Sequence, residues 1–347
     1  MNAPAASPVT RELAGGAIAR RIVIAVAILA LIAVPYAIQQ VYYVNIASQV
    51  LLYAVFALGL NVLVGYAGLV SLGHAGLFGV AAYVVAYLLA AGHGHAFAIL
   101  VGLAAGLVGT AGFAALALRA TGISFIMITL ALGEIIWGLA YRWISITGGD
   151  NGISVSTRPA PFGLSLDSPR AFYVATLIVF LLAVIAVQVF VRSPFGAALC
   201  GTRDQPRRMN ALGYHVWMIR FWAFMFSGLL TSVAGILFVY YTEFISPQAL
   251  ALTASAEGLL MVISGGAGTL LGPVIGAALV VIVKNVVSAY ITRWNFMLGA
   301  IFVAIVVFMP EGLVPGAVRL TRSAWRSARR GKGTIPNKAA SAARPQS

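Results

Sequence analysis

The segment AFYVATLIVFLLAVIAVQVFV, residues 171–191, decides the fold class of this chain. It contains no charged residue, and as a helix it is long enough to cross the hydrocarbon layer of a membrane, which takes about 20 apolar residues. The rest of the chain has the same character: 61% of the 347 residues are hydrophobic, 9% are charged and the mean hydropathy is +0.98. Because soluble domains carry about a quarter charged residues, the sequence predicts an all-α polytopic membrane protein.

Nine further apolar segments accompany residues 171–191, which gives about ten predicted transmembrane segments. These nine are residues 21–38, 44–64, 69–91, 96–118, 122–141, 219–241, 251–264, 273–291 and 294–309. Segment 251–264 is short and runs into the sequence GGAG at residues 265–268. We interpret it as a half-helix ending at a glycine break, so the expected number of crossings is eight to ten. Such a break is a candidate pathway element and equally a candidate packing feature.

Basic residues predict the orientation. With the N-terminus in the cytoplasm and every segment crossing, one side carries seventeen of the 22 Lys and Arg residues and the other side carries four. Since cytoplasmic loops collect Lys and Arg, we expect both termini in the cytoplasm and no nucleic-acid partner for the net charge of +14. The predicted domains are a cytoplasmic arm (1–20), a transmembrane domain (21–309) and a basic, disordered cytoplasmic tail (310–347) lying against anionic membrane lipid.

Several chemistries lack their sequence signatures. The chain has no G-x-x-x-x-G-K-[ST] motif for nucleotide phosphates and no H-E-x-x-H or Cys/His metal spacing. The single cysteine, Cys200, excludes an internal disulfide, and no nucleophile–base pair stands out. We therefore expect no catalytic residues, no metal site, no bound cofactor and no enzymatic activity.

Glu134 in the fifth predicted span and Lys284 in the ninth are candidate functional residues because they are ionisable. Such groups are costly in a membrane and usually face the bundle interior or water. One hypothesis is that one or both line a translocation path. The alternative is that they pair with each other or with backbone carbonyls, or that Lys284 extends toward the interface.

The longest predicted cytoplasmic connection, residues 200–216, has features of a short amphipathic helix. Asp204 is a candidate N-cap, Pro206 suits the first turn, and Gly213 suits a helix stop. Arg203 would be exposed, while Ala211 and Leu212 supply an apolar side. The helix is either an ordinary membrane-surface helix or a docking helix for a soluble partner.

The segment NVLVGYAGLVSLGHAGLFGVAAY, residues 61–83, resembles the signature of branched-chain amino-acid ABC transporter permeases, the LivM-like branch. The resemblance covers about residues 45–313. Further matches occur in chain order at 122–135 (GISFIMITLALGEI), 147–153 (TGGDNGI), 203–204, 211–214, 244–248 (FISPQ), 261–273 (MVISGGAGTLLGP) and 310–313 (PEGL).

The resemblance implies a type II-like ABC importer permease bundle in the bacterial inner membrane. It implies as partners a second permease of the same family, two ATP-binding subunits that hold the ATP, and a periplasmic or lipid-anchored substrate-binding protein. The residues matching the loop that docks into the ATPase are Arg203, Asp204, Ala211, Leu212 and Gly213. Pro206, Arg207 and Arg208 depart from the acidic and alanine residues common there, which leaves open which side chains make the contacts.

The implied cargo is a branched-chain amino acid, and urea or short amides are the alternative within the family. A secondary transporter or channel that needs no ATPase is the alternative class, and only Glu134 and Lys284 hint at the ion site it would require. Candidates for lining or hinging the path, with close helix packing as the alternative, are Gly65, Gly68, His74, Gly265 and Gly266.

Overall fold

The computed structural model describes residues 40–155, 168–290, 294–309 and 312–316, with the isolated positions 31, 33, 35 and 319. Within these residues the chain is helical apart from turns and one pair of two-residue strands. Five of the described helices are long and apolar enough to cross a membrane, and three shorter apolar helices accompany them. The predicted all-α membrane fold is confirmed for this part of the chain. The first predicted span, 21–38, lies outside it except for three isolated positions.

The described elements follow one another in a simple order. The helices are α1 (Val41–Asn61), α2 (His74–Ala90), α3 (His95–Ala117), α4 (Ile123–Arg142), α5 (Ile144–Thr147), α6 (Pro169–Arg192), α7 (Pro194–Asp204), α8 (Pro206–Ala211), α9 (Val216–Thr242), α10 (Leu252–Gly265), α11 (Gly272–Tyr290) and α12 (Trp294–Phe308). A π-helical turn (Val62–Ala67) extends α1, and 3-10 turns occupy Gly149–Asn151 and Pro247–Leu250. Strands β1 (Ile153–Ser154) and β2 (Phe244–Ile245) pair antiparallel.

The start of α2 differs from the prediction. The third span was predicted to begin at residue 69, but α2 begins at His74. The chain leaves α1 through the π-helical turn and reverses at Gly68, whose φ of 70° lies in the left-handed region that glycine adopts without steric cost. The Leu69 N–H donates to the Leu63 carbonyl at 2.9 Å and closes this end. Apolar composition could not reveal the boundary, because the residues between Gly68 and α2 are largely apolar as well.

Helix α1 lies at the centre of the bundle. It packs against α6, α9, α10 and α11, and it is completely buried from Ala54 to Asn61. Gly59 lets α9 approach closely, since a Cβ at this position would lie 2.9 Å from the Ser227 carbonyl oxygen. Helices α3, α4 and α6 expose most of their surface instead, so in a membrane their outer faces contact lipid or other subunits.

The two ends of the bundle are built differently. At the sheet end, β1 and β2 pair with Ile153 opposite Ile245, which joins the α4–α6 connection to the α9–α10 connection. At the opposite end, which we call the loop end, α7 and α8 connect α6 to α9. The 14-residue helix α10 begins beyond β2 and ends at Gly265, followed by Gly266 with φ 116°. The predicted glycine break is therefore present.

The loop-end segment contains two helices where the sequence predicted one. Helix α7 begins at Pro194 behind the N-cap Ser193, whose Oγ accepts the Gly196 N–H at 3.2 Å. The prediction that Asp204 is an N-cap is wrong: Asp204 is the last residue of α7, and Gln205 precedes α8. Because α7 already begins at Ser193-Pro194, it continues as far as Asp204. Asp204 therefore lies at the C-terminal end of a helix, where no free backbone N–H groups are present for its carboxylate to cap.

Candidate translocation cavity and coupling junction

A cavity of about 630 Å³ lies between α1, α2, α9, α10 and α11, and residues of the sheet-end connection between α9 and α10 form part of its wall. One part of its wall is apolar and largely aromatic, and another part is polar and carries two opposite charges. The lining residues are Tyr53, Phe56, Ala75, Phe78, Phe238, Thr242, Phe244, Ser246, Gln248, Ala249, Thr253, Ala254, Ala256, Glu257, Leu260 and Lys284. Ligand pockets for small molecules have volumes of about 300–1,000 Å³, so the cavity is large enough for one.

The two charges form an ion pair across the cavity wall. Lys284 on α11 places Nζ 3.2 Å and 3.1 Å from the two carboxylate oxygens of Glu257 on α10. Their side chains are 35% and 20% exposed, so both charges reach the cavity while neutralising each other. This satisfies the requirement that ionisable groups within apolar segments face the interior or water.

Lys284 lines this candidate cavity, and Glu134 does not. Glu134 is half-buried on α4 and is not among the residues lining this cavity. The alternative that Glu134 pairs with Lys284 is wrong, because the carboxylate beside Lys284 belongs to Glu257. Sequence reasoning missed Glu257, although an acidic residue inside the predicted span 251–264 was the signal that could have revealed it.

At the loop end, Arg203 connects α7 to the end of α1. Its Nη1 donates to the Gly65 carbonyl at 2.7 Å, and its Nε donates to Asp204 Oδ1 at 2.8 Å. The hydrogen bond to the Asp204 carboxylate raises the pKa of Arg203 above its ordinary value, so the guanidinium remains charged. Gly68 lies against the aliphatic part of the same side chain and leaves no space for a Cβ.

Asn61 connects α1 to the loop that follows α10. Its Nδ2 donates to the Thr269 carbonyl at 2.9 Å, and its Oδ1 accepts the Gly268 N–H at 2.9 Å. Gly65 lies so close to Gly268 that a Cβ on Gly65 would overlap the Gly268 nitrogen. We call the five residues Asn61, Gly65, Arg203, Gly268 and Thr269 the coupling junction.

The junction brings together several predicted residues that are far apart in sequence. Gly65, Gly68 and Arg203 are in direct contact, and Gly265 and Gly266 precede the loop that Asn61 holds. Asn61 is the first residue of the 61–83 motif, but the sequence alone does not indicate a role for it. Its pairing with the loop spans 208 residues of sequence, which no local pattern could predict.

His74 serves helix packing and is absent from the cavity lining. It is fully buried, with Nδ1 2.8 Å from Ser71 Oγ and Nε2 3.0 Å from Ser227 Oγ. Because the Ser227 hydroxyl donates to the Gly59 carbonyl at 2.6 Å, Ser227 Oγ accepts from an Nε2–H. The ring and Ser227 together join α2 to α9 and α1.

The surface beside α8 is exposed and apolar. Leu212, Trp217 and Met218 are 64%, 45% and 49% exposed, and Ala211 and Gly213 lie in the same exposed segment. Gly213 has φ 87°, so the predicted helix stop is confirmed. We call residues 207–218 the loop-end surface; the exposed Arg207 and Arg208 give one side of it positive charge.

Comparison with known proteins adds the family. A family model described as the permease component of branched-chain amino acid transport systems matches residues 42–306. The chain is 31% identical over 300 residues to the high-affinity branched-chain amino acid transport system permease protein LivM of Salmonella typhimurium, and 30% identical over 297 residues to LivM of Escherichia coli. Each alignment covers 78% of this chain and 70% of the relative.

Another relative is named for a different cargo. The chain is 30% identical over 246 residues to the autoinducer 2 import system permease protein LsrC of Yersinia enterocolitica, which covers 66% of this chain and 64% of LsrC. No solved structure matches the chain. The match over 42–306 and the apolar helices agree with the resemblance found in the sequence. The chain is a multi-pass membrane protein, and it belongs to the family of permease components of branched-chain amino acid transport systems.

Proposed function

We propose that this chain is the permease subunit of an ATP-binding-cassette importer that carries branched-chain amino acids across the bacterial inner membrane. Its family and its similarity to LivM over most of its length support the transport role. The observation that carries the proposal is the coupling junction. It joins α7, which lies beside the loop-end surface, to α1 and to the loop after α10, and both α1 and α10 line the cavity. On this proposal the chain catalyses no reaction, and partner subunits hold the ATP.

The proposed topology has ten crossings with both termini in the cytoplasm. The loop end is the cytoplasmic end, because it holds Arg203, Arg207 and Arg208 and follows the positive-inside rule. Helix α10 begins beyond β2 at the sheet end, and the loop that follows it lies beside Gly65 at the loop end, so it counts as one crossing despite its 14 residues. The arm 1–20 and the tail 310–347 then both lie in the cytoplasm.

The loop-end surface is the proposed docking site for an ATP-binding subunit. Exposed apolar side chains such as Leu212 and Trp217 are costly in water and suit a protein interface. Arg203 and Asp204 stand beside this surface and connect it to α1. The assembly would contain two ATP-binding subunits, a second permease of the same family and an external substrate-binding protein.

Transport would proceed by alternating access. Docked ATP-binding subunits that move on binding ATP shift α7 and α8, and Arg203 passes this motion to the end of α1. Asn61 and Gly65 pass it to the loop after α10, whose helix forms one wall of the cavity. Such coupling requires only that the two permease states differ in their affinity for the two states of the ATPase.

A different cargo is the second candidate. The similarity to LsrC shows that a relative at 30% identity is named for autoinducer 2 import, and urea or short amides remain the alternative within the family. A secondary transporter would not need the loop-end surface at all.

Co-purification and uptake test the proposal together. The permease should co-purify with its ATP-binding subunit, and Leu212→Asp should abolish this because it places a charge in the apolar contact. Asn151→Asp, which introduces the same negative charge at an exposed position of the sheet end, is the matched control and should retain the ATP-binding subunit. Uptake of labelled leucine, urea and autoinducer 2 by the assembled complex then identifies the cargo; retention of the ATP-binding subunit by Leu212→Asp would contradict the docking site.

A further inference from the structure

We propose that Glu257 and Lys284 receive the charged ends of a zwitterionic α-amino acid, with the aromatic wall beside them receiving its apolar side chain. The inference rests on the proposed import function and deepens it, because it assigns the substrate class to named residues. Glu257 would bind the α-ammonium group and Lys284 the α-carboxylate.

The ion pair is suited to exchanging its partners. Each charged side chain reaches the cavity, at 20% exposure for Glu257 and 35% for Lys284. A zwitterion inserted between them replaces one pair of opposite charges by two pairs, so no charge is left unpaired in an apolar bundle, where an unpaired charge is strongly unfavourable. Hydrogen bonds between ionised partners are also stronger than neutral ones.

The apolar wall completes the site. Tyr53, Phe56, Phe78 and Phe238 line the same cavity as the ion pair. A branched aliphatic side chain placed against these rings removes apolar surface from water, which is favourable in proportion to the buried area. The combination of an aromatic wall and paired opposite charges therefore matches an α-amino acid with an apolar side chain.

The same geometry disfavours the neutral cargoes. Urea, a short amide or autoinducer 2 has no pair of opposite charges. To bind between Glu257 and Lys284 it would have to break their ion pair without replacing it, which is unfavourable. We therefore expect the ion pair to stay intact and a neutral molecule to bind only weakly at this part of the cavity.

The position of Glu257 links the site to the coupling junction. Glu257 lies on α10, eight residues before Gly265, and the loop beyond that helix end is held by Asn61. Lys284 lies on α11, which packs against both α10 and α1. A shift of the loop relative to α1 moves Glu257 relative to Lys284, so the conformational change that opens the cavity would also change the binding of the substrate charges.

The alternative role for the pair is purely structural, namely to hold α10 against α11. The double variant Glu257→Gln with Lys284→Met separates the two roles, because it removes both charges and keeps similar side-chain volumes. Replacing both members of a buried pair costs little stability, whereas removing one leaves a charge unpaired. Glu134→Gln is the matched control, since it neutralises a membrane carboxylate that does not line this cavity.

The experiment measures complex assembly, the initial rate of leucine uptake and the sites labelled by a diazirine analogue of leucine. We expect the double variant to assemble like the wild type, to lose uptake by about tenfold or more, equivalent to one strong charged contact, and to lose labelling of the cavity wall. Glu134→Gln should match the wild type in all three readouts.

Each other outcome has a defined meaning. Wild-type uptake by a normally assembled double variant overturns the inference and leaves the proposed function intact. If the double variant does not assemble, labelling of the wild-type complex decides: label on α1, α2 or α9 beside the cavity supports the site, and label elsewhere overturns it. A wild-type complex that imports urea or autoinducer 2 and no amino acid refutes the proposed cargo itself, before any variant is made.

Discussion

Replacing Asn61 by alanine would separate α1 from the loop that follows α10. The amide makes two hydrogen bonds of 2.9 Å, one to the Thr269 carbonyl and one from the Gly268 N–H. Each such bond contributes about 1 kcal/mol net, and a buried group left without a partner costs about 1–3 kcal/mol. The loop can rearrange around the smaller side chain, so the loss stays below the largest sum of these values. We expect the free energy that holds the loop against α1 to fall by about 2–4 kcal/mol.

This loss is comparable to a whole coupling free energy, which is typically about 1–3 kcal/mol or about 5–150-fold in affinity. We therefore expect Asn61→Ala to reduce ATP-dependent leucine uptake by more than about tenfold. The amount of co-purified ATP-binding subunit should stay the same, because Asn61 is buried away from the loop-end surface.

The assay compares uptake by reconstituted complexes with the yield of each subunit. Asn151→Ala is the control, since Asn151 is exposed in the 3-10 turn at the sheet end and should leave uptake unchanged. Uptake at the wild-type rate by Asn61→Ala, or a loss of uptake fully explained by a loss of docked ATP-binding subunit, would refute the role given to the junction.

Three further substitutions test the loop-end surface, the coupling junction and the buried histidine. Gly213→Pro should abolish co-purification with the ATP-binding subunit, because the φ of 87° is incompatible with the value of about −65° that proline requires; Gly94→Pro, at φ −65° in open space at the sheet end, should retain it. Gly65→Val should abolish uptake because its Cβ would overlap the loop after α10, whereas Gly138→Val, with open space around it, should transport normally. Ser227→Ala leaves the Nε2–H of the buried histidine without an acceptor, so thermal unfolding in detergent should show a loss of about 1–3 kcal/mol with unchanged uptake per folded complex.

The sequence predicted the helices well because a membrane span has a simple physical requirement. A run of about 20 apolar residues satisfies it, and the ends of such runs agree with most described helices to within three residues. The prediction was wrong where helix boundaries depend on local geometry. The start of α2 follows a left-handed glycine inside an apolar stretch, and α7 begins at a Ser-Pro pair that lies ten residues before the predicted N-cap, Asp204.

The candidate site was only partly predictable. Lys284 could be selected as a costly charge within an apolar segment, but its partner Glu257 is 27 residues away on another helix. The hydrogen bonds of Asn61 reach across most of the chain. Because nearly every helix face in this bundle is apolar, periodicity does not show which faces meet, and only the packed structure identifies these pairs.

Reconstitution into lipid vesicles shows whether the energy for transport enters from a separate ATP-binding subunit that docks on the loop-end surface. Leucine uptake would be measured with the permease pair alone, with the ATP-binding subunits added, and with the external binding protein and ATP or ADP inside or outside the vesicles. We expect uptake only when the ATP-binding subunits, the binding protein and ATP are all present. Uptake by the permease alone, driven by an ion or substrate gradient, would contradict it.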